Sequence, residues 1–266
     1  MKQLVLFLSL NLFLLSPDFG SSSPIQDNPY LCAANTLAIN PRLCIDITEV
    51  PGYMYKDYLA TAVKKDGINS SSFNEKKPDF EKWKYLFEGL DASKIEAKFF
   101  ESDEFALMPL VGITRKQAED FCEWRTEMLL AELAKMSKRD RAQFPKKFKF
   151  RLPTANEWSR MRFLTQQKPM MKQLDKIASA NMKAFKFSKA KLIKNNERIA
   201  NVYEVKDPKI GFFNVLNNVS EMTSEDGIAV GGSWFEPNEK ANFQQTFVYQ
   251  GAEAWLGFRC IFEIID

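Results

Sequence analysis

No position of this 266-residue chain is a histidine. A Ser-His-Asp triad, a Cys-His pair and a histidine-bound zinc or iron are therefore excluded as its chemistry. Sulfur and carboxylates remain. The cysteines are Cys32, Cys44, Cys122 and Cys260. Cys32 and Cys44 lie close enough in sequence to staple an amino-terminal arm, which would leave Cys122 and Cys260 to close a long loop. Counting alone leaves all three pairings open. Among the acids, Glu157 stands three residues after Thr154, the spacing of a reciprocal helix cap. Asp46 and Glu49 fall where a strand should turn into a helix, so a role in fixing that corner comes before a catalytic one.

The elements that must position these residues are legible in part. Leu43 to Val50 has partial period-two alternation and β-branched residues, which predicts a strand. A helix follows with Pro51 at its start and Tyr55, Tyr58, Leu59 and Ala62 on one face. Lys64 to Lys94 is charged and serine-containing and reads as a loop anchored at its far end by Trp83, Tyr85, Leu86 and Phe87. Thr114 with Gln117 forms the start signal of a second helix. Its stripe is Ala118, Phe121, Cys122, Arg125, Leu129 and Leu133, with Arg125 the polar exception. Ser137 to Lys149 reads as a basic loop, and Thr154 with Glu157 caps a third helix that turns Trp158 inward. Gly211 to Glu225 reads as a strand and a polar turn. Gly231 and Gly232 mark a sharp turn or close approach, and the run ending in Ile261 and Phe262 reads as a last strand entering the core.

Lys2 followed by the apolar run Leu4 to Leu15 has the layout of a secretory signal peptide, here placed at residues 1–22 with cleavage near Gly20–Ser23. The run is too short for a good membrane span, so no transmembrane anchor is expected. Residues 23–42 then form an extended arm and residues 43–266 the folded domain, interrupted by a basic insertion at 165–200. Export implies a periplasmic or extracellular location, where an even number of cysteines suggests two disulfides. A formal net charge of +3 is too mild to argue for nucleic acid. Lys168 to Lys194, lysine-rich with interspersed Met and Phe, suits an anionic partner or a solvated insertion.

Several separated motifs fall into a known order. Asp46-Ile47-Thr48-Glu49-Val50 with Tyr55 resembles the opening of the formylglycine-generating enzyme (sulfatase-modifying factor) family. So does Pro109-Leu110-Val111-Gly112-Ile113 followed by Ala118, Phe121-Cys122 and Trp124. Arg151-Leu152-Pro153-Thr154 with Glu157-Trp158 is similar to its most recognisable word. Leu216-Asn217-Asn218-Val219-Ser220-Glu221 resembles its metal loop, and Gly231-Gly232-Ser233-Trp234 to Gly257-Phe258-Arg259-Cys260 its ending. The resemblance spans roughly Leu43 to Glu263. It implies an irregular α+β fold related to C-type lectins, low in regular secondary structure and stapled by disulfides. It also implies that Cys122 pairs with Cys260, which leaves Cys32 with Cys44.

Family members that oxidise a substrate cysteine hold copper in a cysteine pair between the last two motifs. Counted without gaps from Gly231, those positions fall on Glu236 and Ala241, and Glu123 to Arg259 contains no cysteine. The resemblance therefore implies no copper and no sulfatase-activating chemistry. The iron-dependent branch, whose ligands are histidines, is excluded as well. Neither haem nor nucleotide is expected. In the metal loop, Asn218 and Glu221 would offer an amide and a carboxylate oxygen to calcium. Asn217, Ser220 and Met222 depart from the family there, and the same pair could simply hydrogen-bond the turn. The expectation is an exported, non-catalytic binding or scaffolding protein of a cell-envelope or surface assembly. Its groove, lined by Trp234, Phe235 and Trp255, would take a peptide, a glycan or a partner protein. The alternative is an enzyme of altered, carboxylate-based or oxidative chemistry in the same groove, drawing on acids such as Glu236.

Overall fold

The structure is a computed structural model that describes residues 30–163, 175, 179, 198–204, 212–235 and 242–265. The expected leader at 1–22, the arm as far as residue 29, the positions Glu236 and Ala241, and nearly all of Lys168–Lys194 lie outside the described residues.

The first two and the last of the described strands lie in one sheet. Strands β1 (Thr36–Asn40) and β2 (Leu43–Asp46) form a hairpin, and the strand formed by Ile261–Ile264 pairs antiparallel with β2, setting Cys44 opposite Phe262. The hairpin begins inside the expected arm, where Thr36–Asn40 form the edge strand of the sheet. The helix after Pro51, α1 (Gly52–Asp66), buries Tyr55, Tyr58, Leu59 and Ala62 as their spacing requires. The segment read as a loop carries α2 (Ser71–Lys76) and α3 (Phe80–Trp83), and α4 (Ala92–Glu101) follows. Its serines and aspartates are caps. Ser70, Asp79 and Asp91 accept hydrogen bonds from Phe73, Glu81 and Lys94 amides, so the polar residues that suggest a loop are helix starts.

Helix α5 (Arg115–Leu133) has the full capping box of Thr114 and Gln117 and buries the stripe read from its sequence, Arg125 included. A short α6 (Lys138–Arg141) breaks the basic loop, and β3 (Phe148–Arg151) joins the first sheet beside the carboxyl-terminal strand. Thr154 and Glu157 cap α7 (Ala155–Ser159), which runs into a 3-10 turn at Arg160–Phe163. A second four-stranded sheet holds β4 (Ser220–Met222), β5 (Ile228–Val230), β6 (Thr246–Val248) and β7 (Leu256–Gly257). Its order is β6-β5-β4-β7, and the pairing of β4 with β7 is parallel. The carboxyl-terminal strand, β8, completes the first sheet in the order β1-β2-β8-β3. This is a mixed α+β fold.

The bridge between Cys32 and Cys44 is present and ties the approach to β1 onto β2. The second expected bridge is not. Cys122 on α5 and Cys260 before β8 meet Sγ to Sγ at 3.3 Å, a contact between two thiols rather than the bond of about 2.05 Å. Both are buried, and burial pushes the Cys122 thiol well above its ordinary value, away from a ready thiolate.

Gly231 lies in the left-handed region at φ +85°, and a Cβ there would stand 2.8 Å from the Val215 carbonyl oxygen and 3.3 Å from the Trp158 ring. Gly231→Ala is expected to lower stability by about 1–3 kcal/mol. Gly251→Ala, where nothing lies within 4 Å, should stay within about 0.5 kcal/mol in the same chemical denaturation series.

Candidate functional site

Most of the chemically capable side chains converge on a buried polar centre. Arg259, fully buried between β7 and β8, donates through Nε and Nη2 to both carboxylate oxygens of Glu221 at 2.5 Å. Its Nη1 donates to the Asp46 carbonyl at 3.0 Å and its Nη2 also to the Phe213 carbonyl at 3.2 Å. The Trp158 indole N–H donates to Glu221 Oε2 at 2.7 Å. Beside this group, Arg125 on α5 grips Asp46 with two hydrogen bonds of 2.7 and 2.8 Å, and the Cys260 amide donates to the same carboxylate at 2.9 Å. Asp46 therefore joins α5 to β8 instead of fixing the corner after β2.

Glu49 is the fifth charged residue of the centre and has no cation of its own. Its oxygens accept from Asn218 Nδ2 at 2.9 Å and Asn214 Nδ2 at 3.1 Å. Both asparagines sit at positive φ, 67° and 51°, a conformation their short polar side chains tolerate. Burial pushes Glu49 up to about 8, with Arg259 opposing the shift and Glu221 adding to it. Protonated Glu49 leaves two carboxylates against two guanidiniums, a balanced buried set.

Asn218 and Glu221 do not fit the calcium pair suggested by their sequence. The Glu221 carboxylate is taken up by Arg259 and Trp158. Asn218 Oδ1 accepts from the Ala200 amide at 2.8 Å, and its Nδ2 donates to Glu49 and to the Ala200 carbonyl. The Arg259 guanidinium bonds to both oxygens of that Glu221 carboxylate. Among the described residues, no group of three or more His, Cys, Asp or Glu side chains is arranged to hold a metal ion.

The three residues assigned to a groove do come together, at the surface. Phe235 is 60% exposed, stacked 6.3 Å from Trp255 and edge-on to Trp234 at 5.9 Å. The Trp234 indole donates to the Ala254 carbonyl at 3.2 Å, and its amide donates to the Asn218 carbonyl at 2.9 Å. Arg198 lies 5.8 Å over the Trp234 ring. Sequence reasoning missed Arg259, Asn214 and the Asp46–Arg125 pair as members of the centre. The one signal was Arg125, charged on an otherwise apolar stripe.

An α+β frame of two small sheets, closed by a Gly-Phe-Arg-Cys segment whose arginine is sunk in the core, defines the class of protein. The Sulfatase-modifying factor enzyme 1-like domain matches residues 19–264, and the chain belongs to that family. No curated protein matches it. Solved structures similar to it include two of the same general size. Treponema denticola variable protein 1 is 16% identical with a TM-score of 0.41, over 82% of this chain and 84% of that one. CarF is 15% identical with a TM-score of 0.42, over 84% of this chain and 87% of that one.

Glu221→Ala leaves Arg259 buried without its counter-charge and is expected to cost about 3–5 kcal/mol in denaturant unfolding. Millimolar calcium should leave the melting temperature of the parent chain unchanged; a calcium-dependent rise would restore the ligand role.

Glu49 sets a pH dependence whose sign follows from its raised value. The folded chain keeps this proton up to about pH 8, whereas the unfolded chain releases it near 4.5, so stability falls as pH rises between those values. Asp57, raised to about 6 by burial, acts in the same direction only at the lower end. From pH 6 to 7 the expected slope is about 1.4 kcal/mol per pH unit, falling to about half of that at pH 8, with no histidine to add to it. Glu49→Gln, uncharged throughout, should give a flat profile in that window.

Proposed function

We propose that this chain is an exported binding or scaffolding protein that engages an envelope or surface partner through Trp234, Phe235 and Trp255. The observation that carries the reading is Phe235, an aromatic side chain left 60% exposed beside the Trp234 and Trp255 rings. Exposed aromatic clusters are typical interface anchors, because they bring large apolar area at little cost in rotamer freedom. Export is supported by the signal-like run Leu4 to Leu15 and by the Cys32–Cys44 bridge, which suits an oxidising compartment. No helix among the described residues is long and apolar enough to cross a membrane.

The family's copper-dependent cysteine oxidation is not part of this reading, because the chain has no cysteine between Cys122 and Cys260 to supply the reactive pair. Catalysis of another kind in the same groove is the alternative. The acid it would use beside Trp234, Glu236, lies outside the described residues.

Capture from the native envelope tests the proposal. The mature chain should retain a defined partner, and Phe235→Ala with Trp255→Ala should weaken retention by about tenfold or more with little change in melting temperature. Undiminished capture by the double variant would contradict the assignment of this surface. Copper-dependent oxidation of a cysteine peptide by the purified chain would contradict the non-catalytic role.

A further inference from the structure

The second sheet has an open edge at β6. Among the described residues β6 pairs with β5 alone, setting Ile228 opposite Val248, Ala229 opposite Phe247 and Val230 opposite Thr246. The Tyr249 amide continues the pairing by donating to the Gly227 carbonyl at 3.0 Å, so Gly227 and Tyr249 form a hydrogen-bonded pair. Such pairs alternate along an antiparallel ladder, so Phe247 and Tyr249 turn their N–H and C=O groups towards β5. Those of Thr246 and Val248 point away from the sheet, and no described residue bonds them there. Both side chains are exposed as well, Val248 by 76%. Sheet edges are usually guarded by a charge, a proline or a bulge. This one has a regular register, and Asn242 to Ala252 contains neither a charged residue nor a proline in a chain that is 27% charged.

We propose that β6 is a self-association edge, where two copies of the chain pair antiparallel across a two-fold axis at Phe247. The register selects a second copy. With the axis at Phe247, Thr246 of each copy stands opposite Val248 of the other. These are the residues whose backbone groups face outward, so each Thr246–Val248 pair exchanges hydrogen bonds in both directions. Each pair also sets two β-branched side chains side by side. The uncharged run removes the like-charge repulsion that a strand meets when it pairs with itself. The contact is isologous and closes at the dimer, so it does not run on into a fibre. Because the strand is short, the dimer is a weak one that forms as concentration rises. It rests on no part of the aromatic-surface reading.

Sedimentation equilibrium of the full mature chain, with backbone amide exchange read by NMR at low and high concentration, tests the pairing. Concentrating the chain should convert monomer to dimer and slow the Thr246 and Val248 amides by about tenfold or more. The Phe247 and Tyr249 amides, already bonded to β5, should not change. Val248→Pro removes an outward N–H without touching a bond to β5, and should weaken the dimer by about tenfold or more. Val248→Lys, which keeps the backbone intact, should weaken it comparably by placing like charges diagonally across the axis. Phe235→Ala should leave the dimer as it is, which separates this edge from the aromatic surface. A chain that stays monomeric at every concentration overturns the proposal. So does a dimer in which the Thr246 and Val248 amides exchange as in the monomer, or one that both Val248 variants form as readily as the parent. Protection of these two amides by an envelope extract while the chain remains monomeric would also overturn it, by assigning the edge to another polypeptide.

Discussion

One buried guanidinium organises this molecule. Arg259 is wholly removed from water and reaches three separate segments: the Glu221 side chain on β4, the Asp46 carbonyl at the end of β2, and the Phe213 carbonyl in the loop before β4. An unpaired guanidinium in that position would be prohibitively costly, so the three acceptors must be delivered together. Delivering them forces the second sheet, the end of the first and the 212–215 loop into one arrangement. The Trp158 indole and the Cys260 amide complete the set by satisfying Glu221 and Asp46.

The centre also reaches the surface. Glu49 holds the side chain of Asn218, and the Asn218 carbonyl accepts the Trp234 amide. Trp234, edge-on to Phe235, which in turn stacks on Trp255, is thus tied by its backbone to the buried centre. The chain has no cysteine between Cys122 and Cys260, and the aromatic cluster lies within that interval.

Sequence reading recovered what is local. The caps at Thr114 and Thr154 are decided by residues three positions apart, and the α5 stripe by a helical period. The Cys32–Cys44 bridge joins residues twelve apart. What was not legible is carried by distant partners. Nothing near Asp46 in sequence shows that Arg125 will meet it, and nothing near Glu221 shows that Arg259 will bond to both of its carboxylate oxygens. Helices α2 and α3 were obscured for the opposite reason, since Ser70 and Asp79 serve turns and caps alike and the two helices are short. Cys122 and Cys260 were correctly brought face to face by the family resemblance, but they stand there as thiols in contact.

The claim at the centre of this account is that the exposed aromatic platform is the contact surface. A photoreactive benzoylphenylalanine in place of Phe235, illuminated in the native cell, tests it most directly, with the same group at exposed Ile68 as a control. The account predicts a discrete cross-linked adduct with one envelope or surface component at position 235 and none at position 68. An absence of adduct at 235, or the same adducts at both positions, would contradict it.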